Sequence, residues 1–314
     1  MRILSGHRAD VLSVSYSPDG RWLASAGWDG IVCVWDLATG DTIRVGRTPY
    51  AHALAVAFSA RGEFLAVLLR DDHPLDEMFG DFGNLAWVRL EEPRPYGDMI
   101  RSDDTFFPIL SPNRRALRCM AVAGYTDAVA VSDGEEWITV WNPNHRDLLR
   151  RTRTEKWRAT ALAFGPDERG MAAVGVGEAS GIYYWSPWRL SEKPMQLPLP
   201  ASRGQAVAIS RDGKHVVGAF DSGLLIWWKP GSKWPRVIQA HEGAVRSLAF
   251  SPDGRLLFSS GADGLVKSWD ADRGHAIQTF DWQIGDIHCL AVAPDGLTAA
   301  AGGNREIVVW DLDV

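Results

Sequence analysis

Apolar and polar positions alternate over short runs along most of the chain, and the runs come in groups. Seven of them close on tryptophan: VCVWD at Trp35, LAWVR at Trp87, ITVWN at Trp141, IYYWS at Trp185, LIWWK at Trp227, VKSWD at Trp269 and IVVWD at Trp310. Branched and aromatic side chains at a two-residue period suit a pleated, half-buried surface, so each run reads as a β-strand. The tryptophans stand 52, 54, 44, 42, 42 and 41 residues apart, and a period near 42 marks a repeat architecture.

Aligned on tryptophan, the repeats share further elements. About twelve residues earlier lies a second strand, as in LASAG at 23–27, VVGAF at 216–220 and LFSSG at 257–261. It follows a turn such as SPDG at 17–20, SRDG at 210–213 or APDG at 293–296, where Pro or Asp presets the bend and Gly supplies a positive φ. Another alternating strand precedes each turn, and a fourth follows several tryptophans, as in TIRVG at 42–46 and AIQTF at 276–280.

Four antiparallel strands repeated seven times predict an all-β, seven-bladed β-propeller, with one domain over residues 1–314. The approximate blades are 6–47, 48–102, 103–153, 154–201, 202–241, 242–282, and 283–314 completed by residues 1–5. The last repeat stops after its third strand, and residues 2–5 match the missing fourth. An N-terminal strand that completes the C-terminal blade would close the ring and remove an open sheet edge.

Repeat one reads GH, then LASAGWDG, then WD. Repeat six reads AH, then LFSSGADG, then WD. On these motifs and the tryptophan period the chain resembles the WD-repeat β-propeller family, of which G-protein β-subunits are examples. The resemblance implies a buried tetrad of His, Ser or Thr, Asp and Trp in each well-matched blade. Carried over position by position, these are His7, Ser25, Asp29 and Trp35 in repeat one, and His241, Ser259, Asp263 and Trp269 in repeat six. Repeat five keeps Asp221 and Trp227 but has Val217 for Ser; repeat seven has Gln283, Ala300 and Asn304. Repeats two to four keep little beyond the tryptophan, so those blades are expected to rely on apolar packing and to be the less rigid side of the ring.

The family resemblance also implies recognition on one face of the disc, three and five residues after the tetrad His and one before the tetrad Asp. The protein-binding positions so mapped include Trp28, His52, Arg118, Arg158, Arg203, Phe220, Arg246 and His288. Arginine interleaved with aromatics is the composition of a protein-binding hot spot. A basic ring on a chain of net charge −6 points to an acidic or phosphorylated peptide. The leading reading is a non-enzymatic scaffold for a protein or peptide partner. Two alternatives stay open: a regulatory subunit that positions a separate catalytic chain, and an enzyme with its site at the central channel.

Composition narrows this further. The acidic balance argues against nucleic acid as a partner. Three widely spaced cysteines, Cys33, Cys119 and Cys289, fall in strands and form no CxxC pair, which reads as core thiols in a reducing compartment. No long apolar span or signal peptide is seen, so the expectation is a cytoplasmic protein with no membrane partner, alone as a monomer or within a hetero-complex. No cofactor, metal or catalytic residue is expected. His, Ser and Asp together invite a catalytic-triad reading, but the same set occurs twice at one spacing with Trp as its fourth member. The acidic insertion at 70–83, with Phe79 and Phe82, reads as a solvated loop and a second candidate docking element. Residues 91–115 read as an irregular fourth strand and a long loop.

Overall fold

The computed structural model describes residues 1–47, 51–71, 85–90, 106–107, 117–133, 137–145, 147–165, 168–186, 193–199 and 202–312. The expectations placed on residues 72–83, 91–105 and 108–116 therefore lie outside the described residues, apart from Arg70 and Asp71.

All regular structure among the described residues is β. Seven four-stranded antiparallel sheets follow one another in chain order. Blade one comprises Val11–Tyr16, Trp22–Gly27, Ile31–Asp36 and Thr42–Arg47. Blade two is Ala51–Phe58, Phe64–Asp71, Leu85–Arg89 and Phe106–Phe107. Blade three is Cys119–Val122, Val129–Ser132, Trp137–Asn142 and Asp147–Arg153. Blade four is Trp157–Phe164, Met171–Gly177, Gly181–Trp185 and Met195–Pro198. Blade five is Gly204–Ile209, Val216–Phe220, Leu224–Trp228 and Arg236–Gln239. Blade six is Val245–Phe250, Leu256–Gly261, Leu265–Asp270 and Ala276–Asp281.

The seventh blade is made from both ends of the chain. Cys289–Val292, Thr298–Gly302 and Glu306–Asp311 are completed by Arg2–Ser5. Arg2 pairs with Val309, Ile3 with Val308, Leu4 with Ile307 and Ser5 with Glu306. The first strand of each blade touches the first strands of both neighbours, so these seven strands line the channel.

The core is divided in the same way. Each of seven buried apolar clusters spans two adjacent blades, from blades one and two through to blades seven and one. A blade buries both faces only by stacking between neighbours, so the apolar energy of the fold resides in the seams.

Candidate recognition face

The tetrads settle which polar groups are structural. In blade one the Trp35 indole N–H donates to Ser25 Oγ at 2.9 Å, and Ser25 Oγ lies 2.8 Å from His7 Nε2. His7 Nδ1 faces both Asp29 oxygens at 3.2 and 3.3 Å. Asp29 also accepts from the Arg8 and Ile31 amides. Blade six repeats the set: Trp269 to Ser259 at 2.9 Å, Ser259 to His241 at 2.8 Å, and His241 to Asp263 at 2.9 and 3.0 Å. Both serines are 0% exposed, so neither hydroxyl is open to a substrate. The rings need space: a Cβ at Gly27 would stand 2.7 Å from His7 Nδ1.

Blade five departs from the alignment on Trp227. Val216 pairs with Trp228, as Leu23 pairs with Trp35 and Leu257 with Trp269. Trp228 therefore occupies the tetrad position and packs toward blade four, while Trp227 faces blade six. Every position assigned from Trp227 moves by one residue. Gly218, not Val217, stands at the serine position. Asp221 moves to the exposed position before the tetrad Asp, where it accepts from Ser202 Oγ and the Arg203 amide.

Phe220 is consequently not a surface contact. It is 1% exposed and pairs with Gly204, the place held by Gly27 in blade one. With no tetrad histidine to accommodate, the phenyl ring fills the space. Blade two slips in the same sense: Leu65 pairs with Val88, and Trp87 packs toward blade three. In blade seven a shorter hairpin puts Ala301, opposite Val308, at the serine position instead of Ala300. Lost partners leave a trace: the buried indole nitrogens of Trp87, Trp185, Trp227 and Trp310 have no hydrogen-bond partner among the described residues. Trp141 instead donates to Thr139 Oγ1, and Trp228 to the Ser232 carbonyl.

The inner-strand positions align well at one end of the channel. A register shift at Leu12, Leu54, Thr160, Gln205 and Arg246 marks the same site in five blades. Arg118 and His288 hold the corresponding positions in blades three and seven, one residue before Cys119 and Cys289. Asp10, His52, Arg158, Arg203, Ala244 and Asp286 lie two residues before these sites.

The charges around this mouth are not uniform. In blades six, seven and one they alternate. Arg246 lies 3.9 Å from Asp286, and His288 lies 3.6 Å from Asp10. Burial pushes the His288 pKa below its usual value, opposed by Asp10. In blades three to five the cations are exposed: Arg118, Arg158 and Arg203 form no ion pair among the described residues. Contacts between the inner strands set these three side by side. Cys119 Sγ lies 3.9 Å from the Ala159 carbonyl, and Thr160 Oγ1 donates to the Gly204 carbonyl at 2.7 Å. Each arginine precedes one of those residues by one. The basic feature is thus an arc over three blades, and Arg246 stands outside it beside Asp286.

Trp28 and His52 add an aromatic step beside blade two. Their rings stack at 4.1 Å and 9°, His52 Nδ1–H donates to the Trp28 carbonyl at 2.5 Å, and the Arg70 guanidinium lies 5.9 Å from the Trp28 ring. Trp28 remains 41% exposed.

Sequence reasoning missed Arg153 and Lys156, which line a cleft beside Arg158. The signal was available: Arg150, Arg151, Arg153, Lys156 and Arg158 crowd into nine residues. The cysteines are buried, and burial pushes the Cys119 and Cys289 thiols up to about 12, so both are protonated at neutral pH.

Taken together, a closed seven-bladed ring, two buried His–Ser–Asp–Trp networks and a charged channel mouth define a β-propeller with tetrad-bearing repeats. The WD domain, G-beta repeat model matches residues 1–36, 232–270 and 274–311, which include both tetrads. The chain is a seven-bladed β-propeller that carries WD repeats over those residues. It is 22% identical over 318 residues to a guanine nucleotide-binding protein subunit beta of Arabidopsis thaliana, covering 99% of this chain and 70% of that protein. A 66 kDa stress protein of Physarum polycephalum is 22% identical over 321 residues, covering 99% and 48%. Apoptotic protease-activating factor 1 of Rattus norvegicus is 22% identical over 309 residues, covering 98% and 22%.

Proposed function

We propose that this chain is a non-enzymatic interaction scaffold that binds an acidic protein or peptide segment on the channel face of blades three to five. The observation that carries the reading is the exposed arc of Arg118, Arg158 and Arg203 on a chain of net charge −6. Guanidinium groups with no carboxylate partner among the described residues offer bidentate bonds to a ligand without first breaking an ion pair there. The Trp28 step supplies rigid aromatic area further round the same face. Burial of Ser25 and Ser259 within their networks weighs against a hydrolytic role for the His–Ser–Asp sets.

A second reading is favoured by the names of the relatives, several of which are subunits of guanine nucleotide-binding proteins. On that reading the chain is a subunit of a larger assembly, and the same face positions its neighbour. Both readings meet in one test. The wild-type chain, an Arg118/Arg158/Arg203→Glu variant and an Arg246→Glu variant, each verified as folded, are used to capture partners from the native host. A partner held by wild type and by Arg246→Glu, and lost by the triple variant, is the expected result. A partner held equally by all three would place recognition elsewhere.

A further inference from the structure

Where the arc crosses from blade three into blade four, the surface dips into an open cleft of about 720 Å³. Arg153, Glu155, Lys156 and Arg158 stand on one wall, Val176 and Glu178 on the other. We propose that this cleft seats the phosphorylated side chain of a peptide segment, a proposal that rests on the reading that a partner docks on this face.

Charge comes first. Among the described lining residues three cations stand against two carboxylates, a net +1, within a chain of net charge −6. Arg118 is the next cation along the arc, on a strand held against that of Arg158 by the contact between Cys119 and the Ala159 carbonyl. A carboxylate would be matched by one of these groups. A phosphate monoester carries about −1.5 to −2 at neutral pH and offers three acceptor oxygens, which matches a guanidinium fork together with an ammonium. The pair between Lys156 and Glu178 is weak: Lys156 Nζ and a Glu178 oxygen are 4.0 Å apart, with side chains 74% and 82% exposed. Such a contact contributes little and yields to a dianion.

The second argument is preorganisation. Lys156 adopts a φ of +66°, which non-glycine residues rarely take, and Gly177 opposite it has a φ of +141°. A Cβ on Gly177 would stand 2.5 Å from the Lys156 carbonyl, so the two loops lie in backbone contact. The Ala179 amide donates to that same carbonyl at 3.2 Å. Beneath them Trp157 is buried and stacks on Tyr183 at 3.9 Å and 4°. The basic loop is therefore mounted on a rigid floor, and little ordering is needed when an anion arrives. The cleft also has room for the residues flanking a phosphoryl group, since sites for small ligands typically span about 300–1,000 Å³.

The test uses backbone amide chemical shifts of the full chain at constant ionic strength. Three probes are titrated: inorganic phosphate, a short Gly/Ser peptide with one phosphoserine, and the same peptide with glutamate in its place. The expected result is saturable shifts at the amides of Lys156, Arg158 and Gly177 with the phosphopeptide. The glutamate peptide should bind about tenfold or more weakly, and Lys156→Gln and Arg158→Gln should each weaken the phosphopeptide about fivefold or more. Affinity should also fall below about pH 6, where the phosphoryl group gains a proton. Inorganic phosphate that binds as well as the phosphopeptide would overturn the peptide assignment. Three other results would overturn the site: no saturable shift at these amides, equal binding of the glutamate peptide, or unchanged binding in both Gln variants. If the arc variant loses its partner while phosphopeptide still fails to bind the cleft, this proposal falls and the docking face stands.

Discussion

In each tetrad the direction of every proton follows from what its partner can accept. A carboxylate only accepts, so His7 Nδ1 and His241 Nδ1 carry the hydrogens that face Asp29 and Asp263. Nε2 then accepts from the serine hydroxyl, whose oxygen accepts in turn from the tryptophan indole. Removing Asp29 leaves a buried imidazole N–H and the Arg8 amide without partners. Asp29→Ala should therefore lower unfolding free energy by about 1–3 kcal/mol, read from urea denaturation; unchanged stability would show that the network is dispensable. The same networks set an acid limit. Burial raises the Asp29 pKa, but the bonds from His7, Arg8 and Ile31 outweigh it and hold the carboxyl at about 2. Its contribution is complete above the unfolded value of about 4 and is lost as pH falls toward 2. Burial also pulls His241 below its usual value, against the opposing effect of Asp263. An unfolded chain then takes up the proton first, so stability declines once pH falls below about 6.5. His241→Gln should start about 1–3 kcal/mol lower at about pH 7.5 and lose less on acidification to about pH 5.5. Burial shifts His288 in the same direction, so the slope is reduced rather than abolished. An unaltered slope in the variant would remove His241 from the explanation.

Blades without tetrads are joined by other means. At the end of the disc opposite the arginine arc, the buried Glu168 carboxylate of blade four accepts from the Tyr125 and Thr126 amides at 2.5 and 2.9 Å and from Thr126 Oγ1 at 2.8 Å. Those residues form the first turn of blade three. Asp127 of that turn accepts from the Ala60 amide of blade two. Blades two to four thus do not depend on apolar packing alone; carboxylates tie their turns into a chain. Glu168→Ala should cost about 1.5–3 kcal/mol, the range for hydrogen bonds to a charged acceptor. It should also raise hydrogen exchange at the Tyr125 and Thr126 amides, and native protection there would count against the tie. The sequence showed the strands and turns of these blades but not this linkage, because Glu168 lies 42 residues beyond Thr126 and carries no periodic signal. The slip in blade five has a different cause. Trp227 and Trp228 satisfy the spacing equally well, yet neighbouring residues on a strand face opposite sides. Only pairing with Val216 selects Trp228, and with it the burial of Phe220. Arg118, Arg158 and Arg203 escaped such slips because nearby strands anchor them. Their segregation from Arg246 was not legible, since the pairing with Asp286 joins two blades in space.

On the scale of the whole ring, every blade but the last is local in sequence, and four N-terminal residues complete the last. Arg2–Ser5 forms the outer edge of blade seven against Glu306–Asp311 and brings Leu4, 4% exposed, into the cluster shared by blades seven and one. The seam has further ties: the Val11 amide donates to the Gly303 carbonyl at 3.0 Å, and Cys289 Sγ lies 3.5 Å from the Val11 carbonyl. Those ties join the inner strands, whereas the N-terminal strand secures the outside, where Arg2 Nη1 also donates to the Leu37 carbonyl of blade one at 2.5 Å. Deleting residues 1–5 removes the buried leucine, worth about 1.5–3 kcal/mol, and a row of ladder bonds worth about 1 kcal/mol each. The loss should thus exceed that from Leu4→Ala, which leaves the ladder intact. It should also expose the Glu306–Asp311 edge, an available template for another chain. The deletion variant is therefore expected to have a lower thermal midpoint than both wild type and Leu4→Ala, and to associate as concentration rises in sedimentation velocity. If its midpoint matched that of Leu4→Ala and it stayed monomeric, the side chain alone would account for the closure. A midpoint equal to wild type would mean that the inner-strand ties hold the seam without the fourth strand.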